Sequence, residues 1–173
     1  MTSEVLLKRI RILLGLFIIG IVLSGVTAFP LDWEVGILFN LVGDKAHGFG
    51  ALMPGLAEWI ARVHEGVHTT GVNYPFMAYG TDWLAFGHLV IAIAFWGPLR
   101  DPVRNVWVID FGMITCALVI PLAMICGPIR GIPFGWRLID CSFGVFGLAF
   151  LVPIRNLILR LEATSATDAA ASR

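Results

Sequence analysis

The chain has 173 residues, with 12 basic and 12 acidic side chains. Hydrophobic residues make up 58% and charged residues 14%, where soluble domains hold about 45–50% and about 25%. A mean hydropathy of +0.85 excludes an ordinary soluble domain, and the neutral balance excludes an electrostatic nucleic-acid binder.

Four stretches have the length and apolarity of membrane-crossing helices: 12–29, 83–99, 106–127 and 136–153. Each is near the ~20 residues that a helix needs to cross a ~30 Å hydrocarbon core. Helices satisfy their own backbone within one segment, so the expected fold is an all-α membrane protein, a four-helix bundle forming a single domain over 1–173. The first stretch follows Lys8, Arg9 and Arg11 and ends in Val26-Thr27-Ala28, which imitates a secretory signal. Its apolar run exceeds the ~7–15 residues of a usual signal core, and it is read as an uncleaved first span.

Between spans one and two lies an insertion over 30–82. After Pro30, Trp33, Ile37 and Leu41 recur at i, i+4 and i+8, which predicts a short helix over 31–42 lying at the headgroup level. GDKAHGFG reads as a loop. A second helix is expected from Pro54, with Leu56, Ile60, Val63 and Val67 as its apolar stripe, ending before Gly71. Residues 161–173 read as a flexible cytoplasmic tail.

The distribution of Lys and Arg sets the orientation. With the N-terminus inside, Lys8, Arg9, Arg11, Arg100, Arg104, Arg155, Arg160 and Arg173 fall inside, eight of the twelve basic residues. Lys45, Arg62, Arg130 and Arg137 fall outside, where the insertion carries Asp32, Glu34, Asp44, Glu58, Glu65 and Asp82. This is the pattern of a multi-pass protein of the bacterial inner membrane with both termini cytoplasmic.

The segments 79–88 (YGTDWLAFGH) and 130–144 (RGIPFGWRLIDCSFG) resemble those of a group of small bacterial multi-span membrane proteins. The resemblance implies a membrane bundle and brings no activity, cofactor or catalytic residue with it.

The most specific motif is HEGVH at 64–68. In H-E-x-x-H on a helix, the two imidazoles share a face and can hold one Zn²⁺, and the intervening carboxylate polarises its water. His64 and His68 would be the ligands and Glu65 the general base. HEGVHTTG also fits H-E-x-x-H-x-x-G, and in this longer form it resembles a fragment of a metzincin zinc site, with Tyr74 where the third ligand would stand. The surroundings speak for a plainer reading. Gly66 costs the helix about 1 kcal/mol relative to Ala, and no strand is expected nearby to hold a peptide substrate. On that reading both histidines belong to the polar face of an interfacial helix.

Ionisable groups within spans mark pathways, ligands or pairs. His88 lies about 9 Å deeper than Asp82 at ~1.5 Å per residue. Asp82, His88, Arg130, Arg137 and Asp140 are therefore expected to gather in the outer leaflet, as a small-ligand site or, more simply, around an Arg137–Asp140 pair at i, i+3. Asp110 is expected to pair with Arg100 or Arg104 and to fix the loop between spans two and three. Cys126 and Cys141 both fall near the outer face, within reach of a disulfide in an oxidising compartment. Gly144 and Gly147 permit close helix approach.

Three functions follow. The first is an accessory or structural subunit, or small-ligand binder, without catalytic machinery; a haem site on His68 and His88 is a variant of it. The second is a zinc hydrolase centred on His64, Glu65 and His68. The third is a small transporter or proton-coupled carrier using His88 and Asp140. The expected partners are the lipid bilayer and either another membrane protein or further copies of this chain.

Overall fold

The computed structural model describes residues 2–43 and 48–171. Asp44, Lys45 and Arg173, which enter the orientation argument, lie outside them. The described residues form helices and turns with no strand. The helices are α1 (Ser3–Thr27), α2 (Leu31–Val42), α3 (Gly48–Leu52), α4 (Pro54–Asn73), α5 (Tyr79–Ala94), α6 (Trp96–Arg100), α7 (Val106–Ile129) and α8 (Phe134–Ala171), with a 3₁₀ turn at Pro75–Ala78 before α5. Four helical stretches among the described residues are long and apolar enough to cross a membrane: Ser3–Thr27, Pro75–Arg100, Val106–Ile129 and Phe134–Ala166. The protein is thus an all-α, multi-pass membrane protein.

The element boundaries differ from the sequence expectation in five places. α1 begins well before the apolar run, because Lys8, Arg9 and Arg11 are sound helix formers that apolar content alone does not register. Within the expected loop at 43–50, α3 begins at Gly48. α4 passes through Gly71 to Asn73, whose Nδ2 donates to the Thr69 carbonyl at 3.0 Å. α8 continues without a break past Pro153 to Ala171, so the segment expected as a tail is helical over most of its length. The second crossing stretch, in contrast, is interrupted at Phe95. Pro98 has no N–H to give the Ala94 carbonyl, and α5 ends at Ala94.

The chain divides into two compact units, one comprising 1–20 and 91–173 and the other 21–90. In the first unit, Leu6, Ile10 and Leu14 form the buried stripe of α1 at a spacing of four. Phe95 is buried with its ring edge-on to Phe17 at 4.9 Å. A Cβ at Gly112 would meet the Phe95 ring at 2.7 Å and Leu151 at 2.9 Å, so the absence of a side chain there admits that ring. Gly144 and Gly147 abut Cys116, the first at its carbonyl oxygen and the second at its sulfur, which brings α8 against the α7 backbone.

Two turns in this unit have clear local causes. Gly131 follows α7 at φ +70, and the Ile132 N–H donates to the Gly127 carbonyl at 2.9 Å. This left-handed closure favours glycine, and Pro133 just beyond it cannot continue the helix. In the α6–α7 turn, the Arg104 backbone N–H donates to Asp101 Oδ1 at 3.2 Å. Asn105 Nδ2 donates to the Asp101 carbonyl at 2.9 Å and the Gly97 carbonyl at 3.3 Å. Asp101 and Asn105 therefore organise this turn.

The second unit is built on α2 and α4, which run antiparallel, with Asp32 opposite His68 and Phe39 opposite His64. In the same unit Gly25 of α1 abuts α5. A Cβ there would meet the His88 Cβ at 2.9 Å and the Ala85 carbonyl oxygen at 3.0 Å.

Candidate functional site at the α2–α4 hairpin

The periodicity of α4 explains where its histidines point. Ala57 and Ile60 are its buried residues, and His64 continues that line at i+7 from Ala57, with His68 one turn further. Both histidines therefore lie on the side of α4 that meets α2, His64 half-buried there and His68 exposed at its edge. Glu65, one residue on, is exposed.

The His68 Nδ1 lies 3.1 Å from Asp32 Oδ2. An ionised carboxylate only accepts, so Nδ1 carries the proton and Nε2 keeps its lone pair. The two side chains are 59% and 51% exposed, so the pair contributes only about 0.2–1 kcal/mol to holding the hairpin. His64 lies flat on Phe39, with ring centroids 4.6 Å apart and planes 3° from parallel. Beneath it, Nε2 lies 3.8 Å from where a Cβ on Gly36 would stand, an ordinary contact distance. Phe39 in turn folds over Gly43, whose missing side chain makes the space. The His64 and His68 ring centroids are 6.0 Å apart.

Among the described residues, no group of three or more His, Cys, Asp and Glu side chains converges in a metal-holding arrangement. Tyr74, at the third position of the zinc-site resemblance, caps the end of α4 through its backbone N–H to the Thr70 carbonyl at 2.7 Å, and its ring meets Phe76 edge-on. Sequence reading assigned neither Asp32 nor Phe39 to this site. Both lie on one face of α2 with Gly36, at spacings of four and three, and only the chain reversal brings that face to α4.

On the outer face of the same hairpin, Trp33, Ile37 and Leu41 are 67%, 41% and 67% exposed. They form the apolar stripe expected from their spacing and, with Glu34, Val35 and Leu38, line an open groove of about 410 Å³.

The five residues of the expected polar cluster are divided between the two units. In the unit 21–90, Asp82 stands in the first turn of α5 and His88 two turns on. His88 Nδ1 donates to the Leu84 carbonyl of its own helix at 2.8 Å. In the other unit, Arg130 follows α7, and Arg137 and Asp140 stand on α8. No described ion pair joins Arg137 to Asp140. The Arg137 stem folds over Gly127, its guanidinium carbon lies 5.2 Å from the Phe134 ring centroid, and its buried Nε has no hydrogen-bond partner. The expected pair at i, i+3 is replaced by an aromatic contact at i−3, which Gly127 makes room for.

The partner expected for Asp110 needs correcting as well. Arg155 Nε of α8 donates to Asp110 Oδ1 at 2.6 Å. Arg100 and Arg104 are not its partners, although they are closer in sequence. Asp110 lies one turn into α7, and Arg155 is presented to it by the long antiparallel packing of α7 on α8. The cysteines Cys116, Cys126 and Cys141 are free thiols, so Cys126 and Cys141 are not joined.

Comparison with protein-family models, with curated proteins and with solved structures gives no match. The resemblance of the segments at 79–88 and 130–144 therefore lends nothing further to a functional reading.

Proposed function

We propose that the protein is a non-catalytic accessory subunit of a bacterial inner membrane, with both termini cytoplasmic and the α2–α4 hairpin lying along the outer membrane surface. The observation that carries this reading is the division of labour within the hairpin. His64 and His68 are engaged by α2, one stacked on Phe39 and the other bound to Asp32 at the exposed edge of the hairpin, while Trp33, Ile37 and Leu41 face outward. An amphipathic helix with Trp on its apolar side suits the headgroup region, where an indole is at once apolar and able to donate. The H-E-x-x-H spacing then serves as a clasp that holds α2 with its apolar side turned out.

The test is nitroxide accessibility at Ile37→Cys in a cysteine-free background reconstituted in bilayers. Contact with oxygen and exclusion of a soluble nickel chelate supports the reading. Free access of the chelate to position 37 refutes it.

A zinc hydrolase is the second reading. Asp32 fixes the His68 ring and leaves Nε2 as a free donor atom, which is how carboxylates orient metal-ligating histidines. His64 would supply the second nitrogen and Glu65 the base. Metal content of untagged protein decides it. About one zinc per chain, lost in His64→Ala and in His68→Ala, supports this reading, and metal-free protein purified without chelator removes it.

A further inference from the structure

A second surface, unrelated to the hairpin, lies at the end of the first unit where α1 begins. An open groove of about 430 Å³ runs between the first turns of α1, the end of α6 and the far part of α8. Glu4, Arg11, Arg100 and Ser165 line it over a floor that includes Leu7 and Leu161. It adjoins a second recess on α1 that shares Glu4, Leu7 and Arg11 and adds Lys8 and Ile12.

Three features narrow what this groove could hold. The first is its level in the membrane. Arg11 is the last charge before the uncharged run of α1, and its Nε donates to the Leu99 carbonyl at 3.3 Å, at the end of α6. That fixes one edge of its guanidinium and leaves its remaining N–H groups for a ligand. The groove therefore stands where apolar span gives way to headgroups.

The second feature is charge. No described ion pair includes Glu4, Lys8, Arg11 or Arg100. Two cations, Arg11 and Arg100, and two carboxylates, Glu4 and Asp101, line the groove, and no described ion pair joins them. Asp101 is tied to the α6–α7 turn by the Arg104 backbone N–H at Oδ1, and Glu4 is the carboxylate of the pair with no described hydrogen bond. The groove thus offers cationic donors and a separate acceptor carboxylate, which together match a ligand that carries a phosphate and an ammonium group.

The third is the apolar path that leaves it. Ile12, Leu16 and Ile19 follow Lys8 along α1 at spacings of four, four and three, and all three are exposed. Acyl chains attached to a headgroup in the groove would lie along that stripe.

We infer that this groove is a binding site for a zwitterionic phospholipid of the phosphatidylethanolamine class. Its phosphodiester is held by Arg11 and Arg100, its ammonium by Glu4, and an acyl chain follows Ile12, Leu16 and Ile19. A quaternary ammonium cannot donate to Glu4, so a choline headgroup is disfavoured. A glycerol headgroup has no cation for Glu4.

The test is native mass spectrometry of the full chain in mild detergent, supplied with equal amounts of phosphatidylethanolamine, phosphatidylglycerol and phosphatidylcholine. One phosphatidylethanolamine is expected to stay bound in preference to the other two. Arg100→Gln and Glu4→Gln should each lower its retention about tenfold, as expected for loss of one charge-assisted contact. Arg9→Gln, on the same helix and outside the groove lining, should leave it unchanged. Equal retention of the choline lipid overturns the inference. So does wild-type retention in both folded groove variants, or displacement of the lipid by millimolar inorganic phosphate. Glu4→Gln lies in the exposed first turn of α1 and keeps the test open should Arg100→Gln fail to fold.

Discussion

Replacing Asp110 with Asn should destabilise the protein by about 1–2 kcal/mol, and the effect should run through Arg155. The bond is short, with Arg155 Nε 2.6 Å from Asp110 Oδ1. Unit charges centred about 4 Å apart attract by ~4 kcal/mol at an effective dielectric of ~20. Two terms reduce that. The side chains are 38% and 41% exposed, which lets water and headgroups screen the pair. The unfolded chain in a membrane also finds other partners, which keeps measured polar couplings between spans near ~0.6 and below ~2 kcal/mol. Asn keeps the shape and removes the charge. The assay is a double-mutant cycle of Asp110→Asn and Arg155→Gln, read from denaturant unfolding in mixed micelles. A coupling of about 1–2 kcal/mol is expected for this pair and less than about 0.3 kcal/mol for Asp110 with Arg100 or Arg104, because Asp101 and Asn105 hold that loop instead. A larger coupling to Arg100 or Arg104 than to Arg155 would refute the reasoning.

Three further outcomes are expected. Gly144→Ala places a methyl group against the Cys116 carbonyl oxygen; the α7 backbone must yield, and the cost should be about 1–3 kcal/mol in the same unfolding assay, whereas Gly20→Ala, which meets no neighbour, should cost nothing measurable. Phe95→Ala leaves a cavity bounded by Phe17, Gly112 and Leu151; since lipid is as apolar as the core, only the packing term is lost, and about 2 kcal/mol is expected in place of the ~3–5 typical of a soluble core. Denatured, unreduced protein should take up one alkylating group at each of Cys116, Cys126 and Cys141; an intact mass with two of them missing would show a disulfide.

Much of the helical layout was readable without coordinates. The α2 boundaries, the start of α4 at Pro54 and the core of each span follow from proline placement and apolar runs, which are local signals. The ends were less legible. The first turns of α1 and the last of α8 are polar, and their helicity rests on residue propensity that a membrane-span reading does not weigh. The functional residues divide in the same way. His64 and His68 stand out as a motif, yet the pattern alone could not distinguish the side that meets α2 from the solvated side, because Ala57 is too small to mark a stripe.

What the sequence determined by itself is the solvent this protein lives in and the segments that cross it, because bilayer thickness and backbone satisfaction act on each segment separately. The choice of partners was left to tertiary structure. Asp110 takes Arg155, 45 residues away, over two arginines within ten residues. His68 takes Asp32, 36 residues away. Arg137 turns back over Gly127 and Phe134 and leaves Asp140. Each of these choices depends on which helix faces lie together, a property of pairs of helices that no single stretch of sequence contains.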